Sequence, residues 1–360
     1  MSAADSDNAK RENGVGPNRL SLSSWRLWSW VRSLSGPAIG LIVVVSFFIV
    51  LFKLQGEDEK LRRFISFSNL QVLAQAITVP GVISLGSLLI IISGGIDLSV
   101  GSVAALVTVI TMQVYRHVYF TSASEAAASI AAVLAGLVTG GACGMLDGLI
   151  IARLRVSPFV VTLGMLEMAR GLAYWLSGRR PVIFPEGVPR PKWVDALAQI
   201  HVKHMLFNPG VWTLIFLAIG TAIFLRFTIL GRYSYAIGSN EATAHLCGVP
   251  IGRNKVTIYT LAGLLTGWAG VIMFAQGNSG DPSAGGGLEL QVIAAVVIGG
   301  ASLAGGQGTA LGTILGVLIL GVLENGVSAC DVPVEIKYIL FGVIIVVNTA
   351  LSQWQRRAVE

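Results

Sequence analysis

Charge is what this sequence has least of. Only 12% of its 360 residues are Asp, Glu, Lys or Arg, while 54% are hydrophobic, and the mean hydropathy is +0.73. Soluble domains carry about a quarter of their residues charged, so the composition places this chain in a bilayer. Cysteine is scarce as well: Cys143, Cys247 and Cys330 sit far apart, without C-x-x-C or His-associated spacing. Neither a disulfide framework nor a metal site is expected. The net charge of +6 is spread along the chain and does not gather among aromatics, which argues against a nucleic-acid face. Catalytic signatures are missing too. The run Gly305-Gly306-Gln307-Gly308-Thr309 lacks the lysine of a phosphate-binding loop, and no H-E-x-x-H or G-x-S-x-G occurs. No cofactor is expected, and any energy from ATP has to come from another chain.

Long apolar runs are abundant. Spans need about 20 apolar residues, and ten are drawn at 37–53, 71–93, 100–115, 126–151, 156–176, 209–226, 256–276, 288–300, 308–328 and 334–351. The expected fold is an all-α polytopic bundle. Residues 1–35 read as a cytoplasmic tail, polar and disordered at first, ending in an interfacial anchor of Trp25, Trp28 and Trp30 alternating with Arg26 and Arg32. Residues 36–355 form the membrane domain and 356–360 a cytoplasmic C-terminus. Thirteen basic residues fall on the side of the termini and eleven on the other. Arg153, Arg155, Arg226, Arg232, Arg356 and Arg357 crowd span ends on the first side, which places both termini in the cytoplasm.

Two octapeptides organise the rest. Gly94-Gly95-Ile96-Asp97-Leu98-Ser99-Val100-Gly101 and Gly299-Gly300-Ala301-Ser302-Leu303-Ala304-Gly305-Gly306 share a frame: a Gly pair, Leu three positions on, and Gly three further. Asp97 aligns with Ser302. Each lies between two apolar segments, so each reads as a broken helix, and such pairs in related halves point to a transport pathway. Tight turns between spans would explain the glycines equally well. Asp97 or Ser99 serves either as a helix cap or as a contact for substrate or ion. Gly136, Gly140, Gly144 and Gly148, and again Gly308, Gly312 and Gly316, recur every four residues as close-packing stripes. Glu167 and Arg170, three apart on one helix face, are expected to neutralise each other. Asp147, Glu289 and Glu324 are expected near span ends, within reach of water or headgroups.

Two polar connections differ. The outer one, 177–208, holds four prolines and an apolar-polar stretch from Val194 to Phe207 suited to the membrane surface. The inner one, Gly231 to Lys255, contains the helix-competent Glu241-Ala242-Thr243-Ala244-His245-Leu246, ended by Gly248 and Pro250.

The first octapeptide, Arg153-Leu154-Arg155-Val156-Ser157-Pro158-Phe159-Val160-Val161-Thr162-Leu163-Gly164, Gly231-Arg232-Tyr233-Ser234-Tyr235-Ala236-Ile237-Gly238-Ser239-Asn240 and Ala294-Ala295-Val296-Val297-Ile298 leading into the second octapeptide resemble the ribose-type sugar permeases of bacterial ABC importers over residues 37–355. The resemblance implies a multi-pass homodimer in the inner membrane, driven by a cytoplasmic ATP-binding subunit and fed by a periplasmic sugar-binding protein. It also implies a coupling helix carried here by Gly231, Asn240, Glu241, Ala244 and Gly248. Asp147-Gly148 stands where the family often has Asn before Gly. Without the resemblance, an ion-coupled carrier or channel using Asp97 accounts for the same spans, as does a membrane scaffold.

Overall fold

The computed structural model describes residues 19–184, 186–188, 190–200, 205–330, 339 and 342, with side chains from residue 36 onward. The expected tenth span at 334–351, apart from residues 339 and 342, the Trp/Arg anchor's side chains and the C-terminal Arg356 and Arg357 lie outside the described residues.

Helix α1 (Arg19–Leu54) begins well before Pro37, which it carries internally. The short α2 (Asp58–Phe64) pairs Lys60 with Glu57 and Arg63 with Glu59. Helices α3 (Phe67–Ala76) and α4 (Thr78–Ile92) meet at a 46° bend. The Ser66 hydroxyl, accepting from Asn69 N–H, starts α3. Then come α5 (Val100–Ser122), α6 (Glu125–Leu154) and α7 (Pro158–Ser177). Ser124 caps α6, Pro158 opens α7, and Gly178 at φ 64° ends it. Strand β1 (Val182–Ile183) and α8 (Lys192–Ala198) precede α9 (Pro209–Phe227), α10 (Ile229–Ser239), α11 (Glu241–Leu246) and α12 (Ile251–Gly277). Strand β2 (Ser279–Gly280), α13 (Leu288–Ile298) and α14 (Ala310–Ala329) complete the described chain.

Among the described residues, seven helices are long and apolar enough to cross a membrane: α1 from Gly36, α5, α6, α7, α9, α12 and α14, with the bent pair α3–α4 an eighth. They match eight of the ten spans drawn from sequence. The stretch drawn at 288–300 is α13, whose 11 residues make a rod of about 16 Å, half the ~30 Å hydrocarbon core. The fold is an all-α polytopic bundle.

Helix α12 is the axis, packed on α4, α5 and α6. Its glycines interlock with those of α6. A Cβ on Gly140 would overlap Gly263 and Gly267, and one on Gly144 would overlap Tyr259, so the two backbones touch where side chains would hold them apart. The second stripe works the same way between α13 and α14, with Gly312 against Gly299 and Gly316 against Ala295. Helix α4 is buried on every side from Val82 to Ile92, the mark of a central element.

The 177–208 connection packs its helix α8 on the bundle. Val194 and Leu197 of α8 are buried against Met112, Phe274 and Ala275. Gln75 Nε2 donates to Ala198 O at 2.7 Å, and Asn208 both holds Gln199 O and caps α9. The apolar side of α8 thus rests on the bundle. Strand β1 adds Val182 opposite Gly280 and Ile183 opposite Ser279 of β2.

Candidate functional site: two chain breaks meeting on α10

Each octapeptide links two helices and is held by its own means. In the first, Gly94 turns the chain at φ 80° after α4. Asp97, 8% exposed, folds back: its Oδ1 accepts from both the backbone N–H and the hydroxyl of Ser99, each at 2.7 Å. This Asx turn sets up the start of α5, while Ser99, in the N-cap position, makes no side-chain cap. Thr162 Oγ1 of α7 donates to Ile96 O at 3.2 Å, and Gly101 lies against Gly285 and Glu289. Helix α5 starts well inside the length of α6, since Val107 already faces Gly136. The irregular backbone therefore lies inside the helical bundle, where protein or water has to satisfy it.

The second octapeptide closes on itself. Gly305 N–H donates to Ser302 O at 2.9 Å and Ser302 N–H to Gln307 O at 3.2 Å. Gly300, Gly305 and Gly306 all have positive φ. Gly299 packs on Gly312.

The two breaks touch. Gly306 N–H donates to Ile92 O at 2.9 Å, joining the end of α4 to the second break. Both rest on Gly238 of α10: a Cβ there would overlap Ile92 O and stand 2.5 Å from Gly306 N, and Gly305 packs on the same residue. Tyr235 Oη, one turn earlier, donates to Gly308 O at 2.7 Å. Burial raises the tyrosine's pKa, keeping it a neutral donor. Sequence reasoning missed Gly238 as a site residue. Its one signal was its place in the Ile237-Gly238-Ser239 end of a quoted motif, with no periodicity to show what it abuts.

The expected coupling residues form one unit with it. Gly231 packs against Phe224 and Leu225, which fixes the elbow between α9 and α10. Asn240 ends α10 and caps α11, accepting from Thr243 N–H at 2.9 Å. Glu241 receives Lys255 Nζ at 2.8 Å, Ala244 is buried, and Gly248 turns at φ 80° with open space where a Cβ would stand. Leu246, unremarked in the sequence, is 86% exposed. Between α11, the start of α12 and residues 151–158 lies a groove of about 1040 Å³, lined among others by Arg155, Pro158, Glu241, His245 and Arg253.

Two charge expectations are corrected. Asp147 is not near water: it is 1% exposed, both carboxylate oxygens lack a hydrogen-bond partner among the described residues, and it lies within electrostatic range of Asp97 and Tyr259. At 30 residues, α6 is about 45 Å long, so position 147 is not at its end but on the α12-facing side. The Tyr259 hydroxyl, also without a hydrogen-bond partner among the described residues, abuts Gly95. Arg170 does not pair with Glu167 either. Its Nη1 donates to Pro282 O and Ala284 O at 2.9 and 2.8 Å.

Among the described residues no group of three or more His, Cys, Asp or Glu could hold a metal ion. No solved structure matches the chain. Residues 69–349 match the family described as the permease component of the branched-chain amino acid transport system. The chain is 35% identical to the ribose import permease of Escherichia coli K12 over 298 residues, 78% of this chain and 84% of that one. To the L-arabinose ABC transporter permease of Azospirillum brasilense it is 32% identical, covering 82% and 84%, and to the fructose import permease of Rhizobium meliloti 31%, covering 90% and 87%. The chain belongs to this family of transport permeases, among the ribose-type monosaccharide permeases of ABC importers.

Proposed function

We propose that the chain is the membrane-spanning subunit of an ATP-driven importer in the bacterial inner membrane. It carries a pentose, hexose or polyol delivered by a periplasmic binding protein, and works as a homodimer by alternating access. The observation that carries this reading is the meeting of both breaks on Gly238. A cytoplasmic ATPase seated in the groove beside α11 would push on Asn240, Glu241 and Leu246, and α10 would pass that displacement to Ile92 and Gly306 together. Both termini lie in the cytoplasm in this arrangement. The relatives' names, ribose, arabinose and fructose permeases, support a monosaccharide cargo.

Affinity purification from mild detergent tests the assembly, and a co-purifying ATP-binding subunit is the expected result. Gly248→Leu is expected to leave insertion intact and to uncouple ATP hydrolysis from uptake. The rival, an ion-coupled carrier built on Asp97, predicts uptake driven by a proton gradient with no ATPase bound, and that result would replace the importer.

A further inference from the structure

Helix α11 is joined to α12 by residues 247–250. Two backbone bonds, Gly248 N–H to His245 O and Val249 N–H to Ala244 O, close off α11 itself, and α12 starts after Pro250 without a side-chain cap. Neither sets the angle between the two helices, and Gly248 has open space where packing could have fixed it.

Lys255 sets that angle. Its Nζ donates to both carboxylate oxygens of Glu241 at 2.8 Å, spanning the link from the far side of Gly248. The lysine side chain is only 16% exposed, so its stem is packed and the ammonium is held in one place. The residue before it makes a second tie: Asn254, fully buried, donates its Nδ2 to Ser234 Oγ of α10 at 3.2 Å. Consecutive residues at the foot of α12 therefore hold α11 and α10.

One turn beyond Lys255, on the same face of α12, stands Tyr259. A Cβ on Gly95 of the first break would overlap its Oη. Helix α6 follows α12 here, because Gly144 lies on the Tyr259 backbone and Gly148 on that of Val256, so the two helices shift as one body. The second break rests elsewhere, with Gly305 on Gly238 and Gly306 on Ser239, both of α10.

Resting on the importer reading above, we infer that Lys255 is a positioning residue: its brace on Glu241 makes α11 and α12 one rigid arm, through which the ATPase drives the first break by way of Tyr259, whereas the second break is driven through α10. An ion pair half open to water adds little to global stability, so the brace can be removed from a folded protein.

The test uses the full transporter with its binding protein and ATPase, with Cys143, Cys247 and Cys330 changed to Ser. A single reporter cysteine is placed in the first break, Leu98→Cys, or in the second, Ala304→Cys, at half-buried and exposed positions. Maleimide labelling is timed with and without ATP. In the parental background ATP is expected to change both rates at least threefold. Lys255→Met is expected to remove most of the change at position 98 and to leave that at 304, at unchanged Tm, while uptake of D-ribose, L-arabinose or D-fructose per ATP hydrolysed falls at least threefold. The charge swap, Glu241→Lys with Lys255→Glu, should recover most of both. Equal loss at the two reporters, loss at neither, or a charge swap no better than Lys255→Met overturns the inference. Deuterium uptake by residues 241–247 reads the brace without any ATPase: Lys255→Met is expected to speed it about threefold, and an unchanged rate overturns the brace. Parental labelling and sugar uptake that ignore ATP overturn the importer reading instead, with the deuterium measurement still deciding whether Lys255 holds α11.

Discussion

The two octapeptides share a sequence frame, yet the structure secures them by opposite means. The first is fixed by side chains: a buried carboxylate wraps Ser99, Thr162 reaches in from α7, and one glycine, Gly94, takes a positive φ. The second is fixed by backbone: it hydrogen-bonds within itself, and Gly300, Gly305 and Gly306 supply conformations that other residues rarely adopt. Ser302, aligned with Asp97, contributes its main chain rather than its hydroxyl. A repeated motif thus preserves the shape of a break without preserving what holds it. The consequence is that equivalent substitutions should have unequal effects.

The largest effect is expected where the comparison collapses. Gly238→Ala drives a methyl into the carbonyl of Ile92 and the amide of Gly306, two backbone groups that cannot rotate away. Overpacking of that kind costs ~3 kcal/mol, and both breaks should shift at once, with vesicle uptake falling below about a tenth of parental and Tm dropping. Gly305→Ala strikes the second break alone. Its φ of 91° and its contact with Gly238 predict a loss of ~2 kcal/mol, read as a lower Tm. Asp97→Ala strikes the first alone, leaving the buried N–H and hydroxyl of Ser99 without their acceptor, also at ~2 kcal/mol; Asp97→Asn keeps an acceptor and should cost about half as much. Unchanged uptake and Tm in Asp97→Asn would reduce that motif to an ordinary turn. Ser302→Ala is the control, expected within ~0.5 kcal/mol of parental. If it proved as damaging as Asp97→Ala, the two breaks would be held alike after all.

Much of this was legible in the sequence, and the reasons are physical. Apolar length and glycine periodicity are local properties, so eight spans, both stripes and both breaks could be placed before any coordinate was known. Partners across the bundle are not local. The α6 stripe announces a close approach but not that Gly263 and Gly267 receive it. Arg170 reads as Glu167's neighbour because spacing contains only its own helix, whereas its acceptors lie over a hundred residues away. Asp147 was misplaced for a related reason: hydropathy marks where a helix enters the bilayer, not how far it runs on against α12. Gly238 carries no signal of its own, since a glycine near a helix end is ordinarily a terminator.

The shortness of α13 has a bearing on how the protein is made. Eleven residues, nine of them apolar, cannot by themselves hold a segment across the hydrocarbon. The carbonyl of Ala295 and the backbone of Gly299 lie against Gly316 and Gly312, which are synthesised later. The segment from Leu288 to Ala329 should therefore enter the bilayer as a hairpin, after α14 has left the ribosome. A nascent chain ending before Ala310 would leave α13 outside the bilayer, and its biogenesis would rest on α14 rather than on its own hydrophobicity.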